Sequence, residues 1–242
     1  MDWFSDWFDS KYYHILYTDR DNAEAEHFIS NILGFLKPEK DQHILDLACG
    51  KGRHSKLLND LGYRVTGVDL SENSIMQANQ FSNDRLIFDT HDMRDVYAEN
   101  EFDFVFNLFT SFGYFNSSQE NRRVVCAIEK QLKNNGILVL DYMNAEKVIS
   151  NLIEEEKKTI NGIDFRIQRE IVGNNVVKTI EFQAEGKQQN FQEKVELLGK
   201  TDFINLLNAT SLRLIHTFGS YDLQEFDPST SDRMILLAKK EQ

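Results

Sequence analysis

The chain has 242 residues and a net charge of −12, which argues against a nucleic-acid partner because binding a phosphate backbone needs basic surface. No apolar run is long enough to cross a bilayer, and the acidic, aromatic N-terminus is unlike a signal peptide. We therefore expect a cytoplasmic protein with no membrane partner, in which Cys49 and Cys126 stay reduced. The length suits one domain that carries an insertion.

A glycine-containing turn stands between two apolar strands early in the chain. The predicted strand His43–Leu47 runs into a turn with Gly50 and Gly52, a helix follows, and a second strand, Tyr63–Val68, ends at Asp69. Glycines let the backbone approach a ligand closely, and a carboxylate accepts hydrogen bonds from ribose hydroxyls. This arrangement is typical of α/β proteins that bind a ribose-containing cofactor.

The remaining elements alternate along the chain. Helices are predicted at residues 22–37, 52–61, 71–81, 118–133 and 201–208, and later strands at residues 85–88, 102–107, 137–141, 212–218 and 234–238. The continuous apolar run Ile137–Asp141 fits a strand that is buried on both faces. Alternating strands and helices with short connections predict an α/β fold with a doubly wound, mostly parallel sheet.

The pattern changes after the predicted fifth strand. Alternating apolar and polar residues predict antiparallel strands at residues 163–172, 176–182 and 191–198. The polar turn Gly173–Asn175 joins the first two of them as a hairpin. The mixed charge run Glu154–Lys158 is interpreted as a solvated face. We therefore predict a β-rich insertion at residues 145–200.

Four segments at or next to successive predicted strands occur in a regular order along the chain, at residues 46–52, 65–71, 90–93 and 135–141. The first reads Asp-Leu-Ala-Cys-Gly-Lys-Gly. In order and spacing these segments resemble the motifs of class I S-adenosylmethionine-dependent methyltransferases. The resemblance covers residues 43–144 well and the ending more loosely. It implies a Rossmann-like, mostly parallel seven-stranded sheet, the cofactor S-adenosyl-L-methionine and a methyl-transfer reaction.

The resemblance also implies a division of the chain. Residues 1–144 and 201–242 would form the cofactor-binding methyltransferase domain, in which residues 1–42 are an N-terminal helical cap. The antiparallel insertion at residues 145–200 would be a lid above the methyl group.

Cofactor contacts at the methionine end follow from the first motif. The resemblance places Ala48, Cys49, Gly50 and Gly52 against the methionine part of the cofactor. Asp46 would reach its amino group or orient the loop. A helix-cap or turn acid is the alternative reading of Asp46.

Contacts with the adenosine follow from the later motifs. The resemblance gives Asp69 both ribose hydroxyls and packs Leu70 on the adenine face. Asp92 would accept from the adenine amino group, and Met93 would supply a backbone donor. Asn107 would offer its backbone carbonyl to the methionyl amine. A simple turn remains an alternative for the segment around Asp92.

Residues that could assist catalysis carry weaker signals. Tyr13 and Arg20 resemble a cap that closes over the cofactor in part of the family, although a packed surface helix explains them too. The aromatic stretch Asn107–Phe115, which includes Tyr114, follows strand four, where aromatic faces could stabilise a sulfonium. His54 is a candidate general base. The scattered histidines and the two distant cysteines indicate no metal site.

A nicotinamide-dependent dehydrogenase is the main competing interpretation. Dinucleotide sites need a third glycine for close packing of helix against strand, and Ser55 stands at that position. A phosphate-binding Walker loop is also excluded, because Gly50–Gly52 lacks its spacing and its Ser/Thr partner.

The only sequence evidence on the methyl acceptor is the absence of a known acceptor motif. The stretch after strand four lacks the Asn/Asp-Pro-Pro-Tyr/Phe motif of methyltransferases that act on amide or nucleobase nitrogen, which argues against DNA and glutamine side chains. We expect a small-molecule acceptor held beneath the insertion. Three alternatives stay open: an RNA acceptor on a basic patch of Arg53, Lys56, Arg122 and Arg123, a non-catalytic cofactor-binding protein, and a carboxylated form of the cofactor.

Overall fold

The computed structural model describes residues 7–17, 22–115 and 117–241. Its strands are β1 (His43–Leu47), β2 (Arg64–Asp69), β3 (Leu86–Thr90), β4 (Phe102–Asn107), β5 (Leu132–Met143), β6 (Glu155–Ile160), β7 (Ile163–Val172), β8 (Asn175–Ala184), β9 (Lys187–Glu196), β10 (Leu212–Phe218) and β11 (Arg233–Lys240). Its helices are α1 (Lys11–Leu16), α2 (Asn22–Leu36), α3 (Arg53–Asp60), α4 (Glu72–Ala78), α5 (Ser118–Gln131), α6 (Ala145–Ser150) and α7 (Lys200–Leu207), with a 3-10 turn at Asn79–Phe81.

The larger sheet has seven strands in the order β10-β11-β5-β4-β1-β2-β3. The strands from β5 through β3 in this order are parallel, whereas β11 runs antiparallel to both β5 and β10. The carboxyl ends of β1, β2, β3 and β4 therefore meet at one edge, where open α/β sheets bind their ligands. The predicted α/β class and mostly parallel sheet are confirmed.

Apolar residues cover both faces of this sheet. All five residues of β1 are buried, as expected for a central strand. One face carries a core to which α5 and α7 contribute Val124 and Phe203. The other face carries a core to which α2 and α3 contribute Phe28 and Leu58. The sheet is thus doubly wound, and its ligand-binding edge stands on a packed scaffold.

Close packing against the phenyl ring of Phe88 explains why two positions, Gly52 and Gly67, have no side chain. A Cβ atom added at Gly67 on β2 would lie 2.6 Å from the Phe88 ring and 2.8 Å from Ser55 Oγ. A Cβ atom added at Gly52 would also lie 2.6 Å from that ring, at a φ of +78°. Helix α3 and strands β2 and β3 can therefore pack closely only if both positions lack a side chain.

We expect Gly67→Ala to lower the free energy of unfolding by about 1–3 kcal/mol, because overpacking forces neighbours from their positions. Adding Phe88→Leu should recover part of that loss. Gly34→Ala is the matched control, since Gly34 lies in α2 with open space around its Cα and should gain about 0.5–1 kcal/mol. Urea denaturation measures all three, and an unchanged stability for Gly67→Ala would refute the contact.

The second sheet is four-stranded and antiparallel, in the order β6-β7-β8-β9. The antiparallel insertion is confirmed, with two elements that the sequence did not predict, namely α6 and β6. The β6 strand contains most of the charge run Glu154–Lys158 and has no buried residue, and within the described part of the chain it pairs with β7 alone. Charged side chains suit an exposed edge strand, so apolar alternation is absent there.

The N-terminal segment, residues 7–17, packs on this second sheet. Trp7, Tyr12 and Leu16 are buried in one cluster with Phe165 and Ile180. At the polar side of this contact Trp7 Nε1 donates a hydrogen bond to a buried Glu193 carboxylate oxygen (2.7 Å), and the Tyr17 hydroxyl donates to the same carboxylate. The N-terminal segment therefore completes the core of the insertion.

No helix among the described residues is both long and apolar enough to span a membrane.

Candidate active site

A cavity of about 990 Å³ lies at the edge where β1, β2, β3 and β4 end. Its wall comes from the glycine turn after β1, the turns after β2 and β3, the loop after β4 and the N-terminal segment around α1. Within the described ranges no lining residue comes from 145–200. The second sheet reaches the cavity only through the N-terminal segment that packs on it.

The turn after β1 and the end of β2 are joined by Asp69. The Asp69 carboxylate accepts hydrogen bonds from the backbone N–H groups of Gly50 (2.8 Å) and Ser71 (2.9 Å). Burial raises the pKa of Asp69, and these two donors oppose that rise. Gly50 has a φ of +55° and no atom within 4 Å of an added Cβ, so open space faces the turn. The carboxylate is thus fixed in direction beside that space.

Asp46, at the carboxyl end of β1, is fully buried and lines the same cavity. Its carboxylate accepts a hydrogen bond from Ser55 Oγ (2.5 Å) at the start of α3. Burial raises the pKa of Asp46 to about 6, and the Ser55 hydroxyl opposes the rise. A second carboxylate, Asp69, adds to it. The site therefore holds two acids that favour a cationic or hydrogen-bond-donating ligand.

This shifted pKa makes stability depend on pH. Because the folded pKa of Asp46 lies above the unfolded value of 3.8, its favourable contribution is complete below about pH 4 and lost as pH rises through about 6. Asp46→Asn should therefore gain stability over the wild type as pH rises. We expect the gain to grow by roughly 1–2 kcal/mol between pH 5 and pH 8. Urea denaturation at both values measures it, and a constant difference would contradict the shift.

The turn after β3 presents Asp92 and Met93 to the cavity. Arg94 holds the Asp92 carboxylate through Nε (3.0 Å) and Nη2 (2.6 Å), and its Nη1 reaches Glu120 on α5 (2.7 Å). Burial opposes ionisation of Asp92, but hydrogen bonds and charge from Arg94 lower its pKa overall. Asp92 is therefore an ionised acceptor fixed at the cavity wall.

The loop after β4 has an unusual backbone. Phe109 and Thr110 are consecutive non-glycine residues with φ of +58° and +59°, a left-handed conformation that L-residues avoid. Both line the cavity. The preceding Asn107 is buried, its amide donates to Leu47 O (2.9 Å), and its Oδ1 has no partner among the described residues. The strained pair needs support from elsewhere in the fold.

That support is a buried network centred on Asp141 of β5. One Asp141 carboxylate oxygen accepts from the Phe109 N–H (2.9 Å) and from the Tyr221 hydroxyl (3.1 Å), and the other accepts from Arg233 Nε (2.8 Å). The Asp141 carbonyl accepts from the Thr110 N–H (3.0 Å), and Arg233 Nη2 donates to Thr110 Oγ1 (2.8 Å). These bonds hold the strained loop against the cavity.

The N-terminal segment forms the opposite wall. Asp9 accepts hydrogen bonds from Ser71 Oγ (2.6 Å) and Asn73 Nδ2 (2.5 Å), so this segment is tied to the start of α4. Burial lowers the pKa of His14 to about 4, with a further contribution from the positive charge of Lys51. His14 is therefore neutral at physiological pH.

A family model described as a methyltransferase domain matches residues 38–199. The chain belongs to this family. The match includes the glycine turn, Asp46, Asp69 and the loop after β4. The protein is an S-adenosylmethionine-dependent methyltransferase. The dehydrogenase interpretation is thereby set aside.

Solved structures share the fold over nearly the whole chain. An S-adenosylmethionine-dependent methyltransferase from Clostridium acetobutylicum superposes with a TM-score of 0.80 at 19% identity, covering 98% of this chain and 99% of that one. The amino pentose methyltransferase CalS10 from Micromonospora echinaspora, solved with S-adenosylmethionine bound, has a TM-score of 0.73 at 16% identity, covering 96% and 97%. These likenesses confirm the Rossmann-like fold.

Curated relatives are similar in sequence. A glycine/sarcosine N-methyltransferase from Aphanothece halophytica is 26% identical, covering 92% of this chain and 83% of its own. The putative methyltransferase YqeM from Bacillus subtilis is 35% identical, covering 46% of each chain. The chain spans about half the length of several other curated relatives that it matches.

The cavity brings together most of the residues predicted from the sequence. Those that line it are Tyr13, Asp46, Ala48, Cys49, Gly50, His54, Asp69, Leu70, Asp92, Met93 and Tyr114. Gly52 and Asn107 are not among the lining residues, and their contacts with the cofactor stay predictions. An added Cβ at Gly52 would meet Phe88, and the side-chain amide of Asn107 points towards β1. Arg20 lies outside the described residues. Tyr12 belongs to the core of the second sheet.

Several lining residues had no signal in the sequence. Asp9, His14 and Tyr17 reach the cavity because α1 packs on the second sheet. Thr110 lies in the stretch Asn107–Phe115, which the sequence marks only by its aromatic residues, and it reaches the cavity because Asp141 and its partners fix the loop. None of these residues belongs to a recognisable motif. Only the acidic, aromatic character of the start of the chain distinguishes the neighbourhood of Asp9 in the sequence.

The residues of the cavity fit the cofactor. Open space at Gly50 lies beside the fixed Asp69 carboxylate, which suits a ribose diol. Asp46 offers a negative charge near the same turn, which suits a cationic amino group. Among the described residues no group of three or more His, Cys, Asp or Glu is arranged to hold a metal ion.

Proposed function

We propose that the protein methylates an amine nitrogen of a small molecule. The observation that carries this proposal is the cavity of about 990 Å³, which is bounded by the strained loop after β4 and by the N-terminal segment. Its size suits a cofactor together with a small second ligand. Relatives whose names state an acceptor include a glycine/sarcosine N-methyltransferase and an aminosugar-nucleotide N,N-dimethyltransferase.

The bound cofactor supplies a methyl group on a sulfonium, already activated for displacement by a nucleophile. The proposed roles of the chain are to bind, to orient and to exclude water. Asp69 grips the ribose, Asp46 faces the methionyl amino group, and Asp92 and Met93 hold the adenine. Fixed geometry of this kind can lower a barrier by about 7–11 kcal/mol.

Aromatic rings form part of the cavity wall at the N-terminal segment and at the loop after β4. Phe8 packs edge-on against Tyr13 (5.0 Å between centroids) and against Tyr114 (5.1 Å). Such faces can stabilise positive charge on a reacting amine. His54 stacks on Phe109 at 4.9 Å, and its Nε2 lies 3.3 Å from Arg53 Nη2. His54 Nε2 accepts a hydrogen bond from Arg53 and is therefore not available to accept a proton from the substrate. We assign His54 the role of positioning Phe109, in place of the general base predicted from the sequence.

The division of the chain and its location are part of the same proposal. The insertion at 145–200 acts as a lid indirectly, by holding the N-terminal segment over the cavity through Glu193. Glu193→Gln should then weaken cofactor binding without unfolding the protein. The cytoplasmic location predicted from the sequence stays a prediction.

An acceptor screen tests the proposed function. The protein is incubated with methyl-labelled cofactor and with glycine, sarcosine, aminosugar nucleotides and a metabolite pool. Label in an amine product supports the proposal. Cofactor binding without any labelled product would instead favour a non-catalytic binding protein. Mass spectrometry of co-purified ligand distinguishes a carboxylated cofactor.

RNA receives less support than a small molecule. Of the four residues in the predicted basic patch, Lys56 pairs with Asp60 and Arg123 with Asp95, and Arg53 lines the cavity. Arg122 lies with Arg123 in a separate hollow. Steeply salt-dependent RNA binding in the same assay would restore this alternative.

A further inference from the structure

Strand β6 is an exposed edge of the second sheet. The strands of this sheet follow the order β6-β7-β8-β9, so among the described residues only β7 lies beside β6. No residue of β6 is buried, and Ile153, which comes just before the strand, is 64% exposed although it is apolar. An edge of this kind is a template for pairing with a further strand.

The pairing with β7 shows which backbone groups of β6 point outwards. The Arg169 N–H donates to the Glu154 carbonyl (2.8 Å), so these two residues form a hydrogen-bonded pair of the antiparallel ladder. Such pairs alternate with pairs that exchange no hydrogen bond. The backbone groups of Glu155, Lys157 and Thr159 are therefore directed away from β7, towards the open side of the sheet.

The charges along this edge are ordered by sign. Glu154, Glu155 and Glu156 come first, and Lys157 and Lys158 follow. Charged side chains on an edge discourage pairing with an arbitrary strand. A strand that carries the reverse order of charges is the exception, because unlike charges then stand opposite each other. A second copy of β6 that runs antiparallel to the first presents this reverse order.

Sheet geometry limits how two copies of β6 can pair. A two-fold axis perpendicular to the sheet keeps the same face of both copies on the same side, and directly opposite residues share a face. The odd-numbered residues, whose backbone groups point outwards, must therefore stand opposite odd-numbered residues of the second copy. One such register, which centres the axis on Glu156, brings unlike charges together on both faces.

We propose that two copies of this chain associate through β6 in that register, so that their second sheets join into one continuous sheet. On one face, Glu155 of each copy stands opposite Lys157 of the other. On the opposite face, Glu154 stands opposite Lys158 in the same way. The inference is independent of the proposed function, because none of the described residues of β6 lines the cavity.

The centre and the ends of this pairing are also compatible with the structure. Glu156 stands opposite its own copy, but its carboxylate is already paired within its own chain, with Arg169 Nη2 at 2.5 Å and Lys158 Nζ at 3.0 Å. The like charges at the axis are thereby compensated. At each end Ile153 stands opposite Thr159 of the second copy, so the pairing covers its exposed apolar side chain.

Sedimentation equilibrium of the full chain at low ionic strength tests the pairing through charge. Wild-type protein should dimerise with a dissociation constant in the micromolar range, as suits a small interface. Glu155→Lys should weaken the dimer about tenfold or more, because both symmetry-related pairs of unlike charge become pairs of like charge. The double substitution Glu155→Lys/Lys157→Glu exchanges the two charges and should restore the constant to within about threefold of wild type.

Glu170→Lys is the matched control for charge. Glu170 is exposed on β7, the inner neighbour of β6, and its substitution changes the net charge as Glu155→Lys does. The dissociation constant of this variant should stay within about twofold of wild type. Binding of S-adenosylhomocysteine should be the same in all four proteins, because the substituted residues do not line the cavity.

Cysteine cross-linking tests the register. Glu156 stands opposite its own copy in a pair without backbone hydrogen bonds, where opposite side chains approach most closely. In a Cys126→Ser background, which leaves only the buried Cys49, Glu156→Cys should form an intermolecular disulfide with oxidised glutathione. Lys157→Cys in the same background should not, because its own copy is displaced along the strand, beyond the reach of a disulfide.

Four results overturn the pairing. The first is wild-type protein that stays monomeric at millimolar concentration. The second is a dimer that Glu155→Lys weakens no more than Glu170→Lys does. The third is a dimer that the charge exchange fails to restore, and the fourth is a disulfide through Lys157→Cys in place of Glu156→Cys.

Discussion

Asp69→Asn is expected to weaken S-adenosylhomocysteine binding about 100-fold or more, the largest effect of any single substitution at the site. The carboxylate lines the cavity and is held by the N–H groups of Gly50 and Ser71, so its direction is fixed before a ligand arrives. Two charge-assisted hydrogen bonds to a ribose diol are each worth about 1.5–3 kcal/mol. The Asn side chain has one acceptor oxygen, whereas the carboxylate has two. Its NH₂ group would therefore face either the Gly50 N–H or a ribose hydroxyl.

The same substitution should leave the protein folded. Burial raises the pKa of Asp69, so ionising this group costs folding free energy at neutral pH and a neutral amide avoids that cost. Calorimetry and urea denaturation on one preparation separate the two effects. Asp89→Asn is the matched control, because Asp89 stands opposite Val68 on the neighbouring β3, bonds to Tyr97 and does not line the cavity. An affinity within threefold of wild type for Asp69→Asn would contradict the ribose contact.

Arg233→Met should lower the free energy of unfolding by about 3 kcal/mol, the largest stability effect that we expect. Asp141 is fully buried, and removing Arg233 would leave its carboxylate without a counter-charge from the described residues. Breaking a buried pair from one side typically costs about 3–5 kcal/mol, and the partial exposure of Arg233 places the loss at the lower end. The strained conformation of Phe109 and Thr110 would lose one of its supports at the same time.

A double substitution and a surface control distinguish this network from ordinary loss of packing. Adding Asp141→Asn to Arg233→Met removes the uncompensated charge and should recover part of the stability. Arg213→Met, which breaks an exposed pair with Glu241 (3.3 Å), should cost less than about 1 kcal/mol. If Arg233→Met and Arg213→Met were equally mild, the buried network would not be the support that we describe.

Three strands could be predicted closely from the apolar pattern of the sequence, whereas β5 (Leu132–Met143) extends well beyond its predicted bounds of 137–141. The observed bounds of β1, β4 and β10 are those predicted, because burial on one or both faces leaves an apolar pattern in each of them. The edge strand β6 could not be predicted in this way. It obtains its stability from backbone pairing with β7, and exposed charged side chains carry no periodic signal.

The site could be predicted only where its residues belong to local motifs. The turn after β1 and the acid at the end of β2 lie close together in sequence, and the structure places them within hydrogen-bond distance. Asp9 reaches Ser71 only through the packing of α1 on the second sheet, a contact without local signature. The left-handed pair at Phe109 and Thr110 contains no glycine, so its conformation depends on distant Asp141 and Arg233.

Gly52 shows how a motif residue can serve the scaffold. The resemblance predicts contact with the cofactor, which stays a prediction, and the structure gives Gly52 a further reason to lack a side chain, because an added Cβ would meet Phe88 and Ala78. Spacing along the chain does not tell on which side of the turn a glycine is needed. Only the position of β3 behind the turn answers that question.

The central claim is that the edge of the sheet binds an adenosyl sulfonium through Asp69. Calorimetric titration of the wild-type protein at pH 7.5 with S-adenosylhomocysteine, and separately with NAD, tests it most directly. We predict stoichiometric binding of S-adenosylhomocysteine and none of NAD. Heat from NAD alone, with none from S-adenosylmethionine or S-adenosylhomocysteine, would contradict the account.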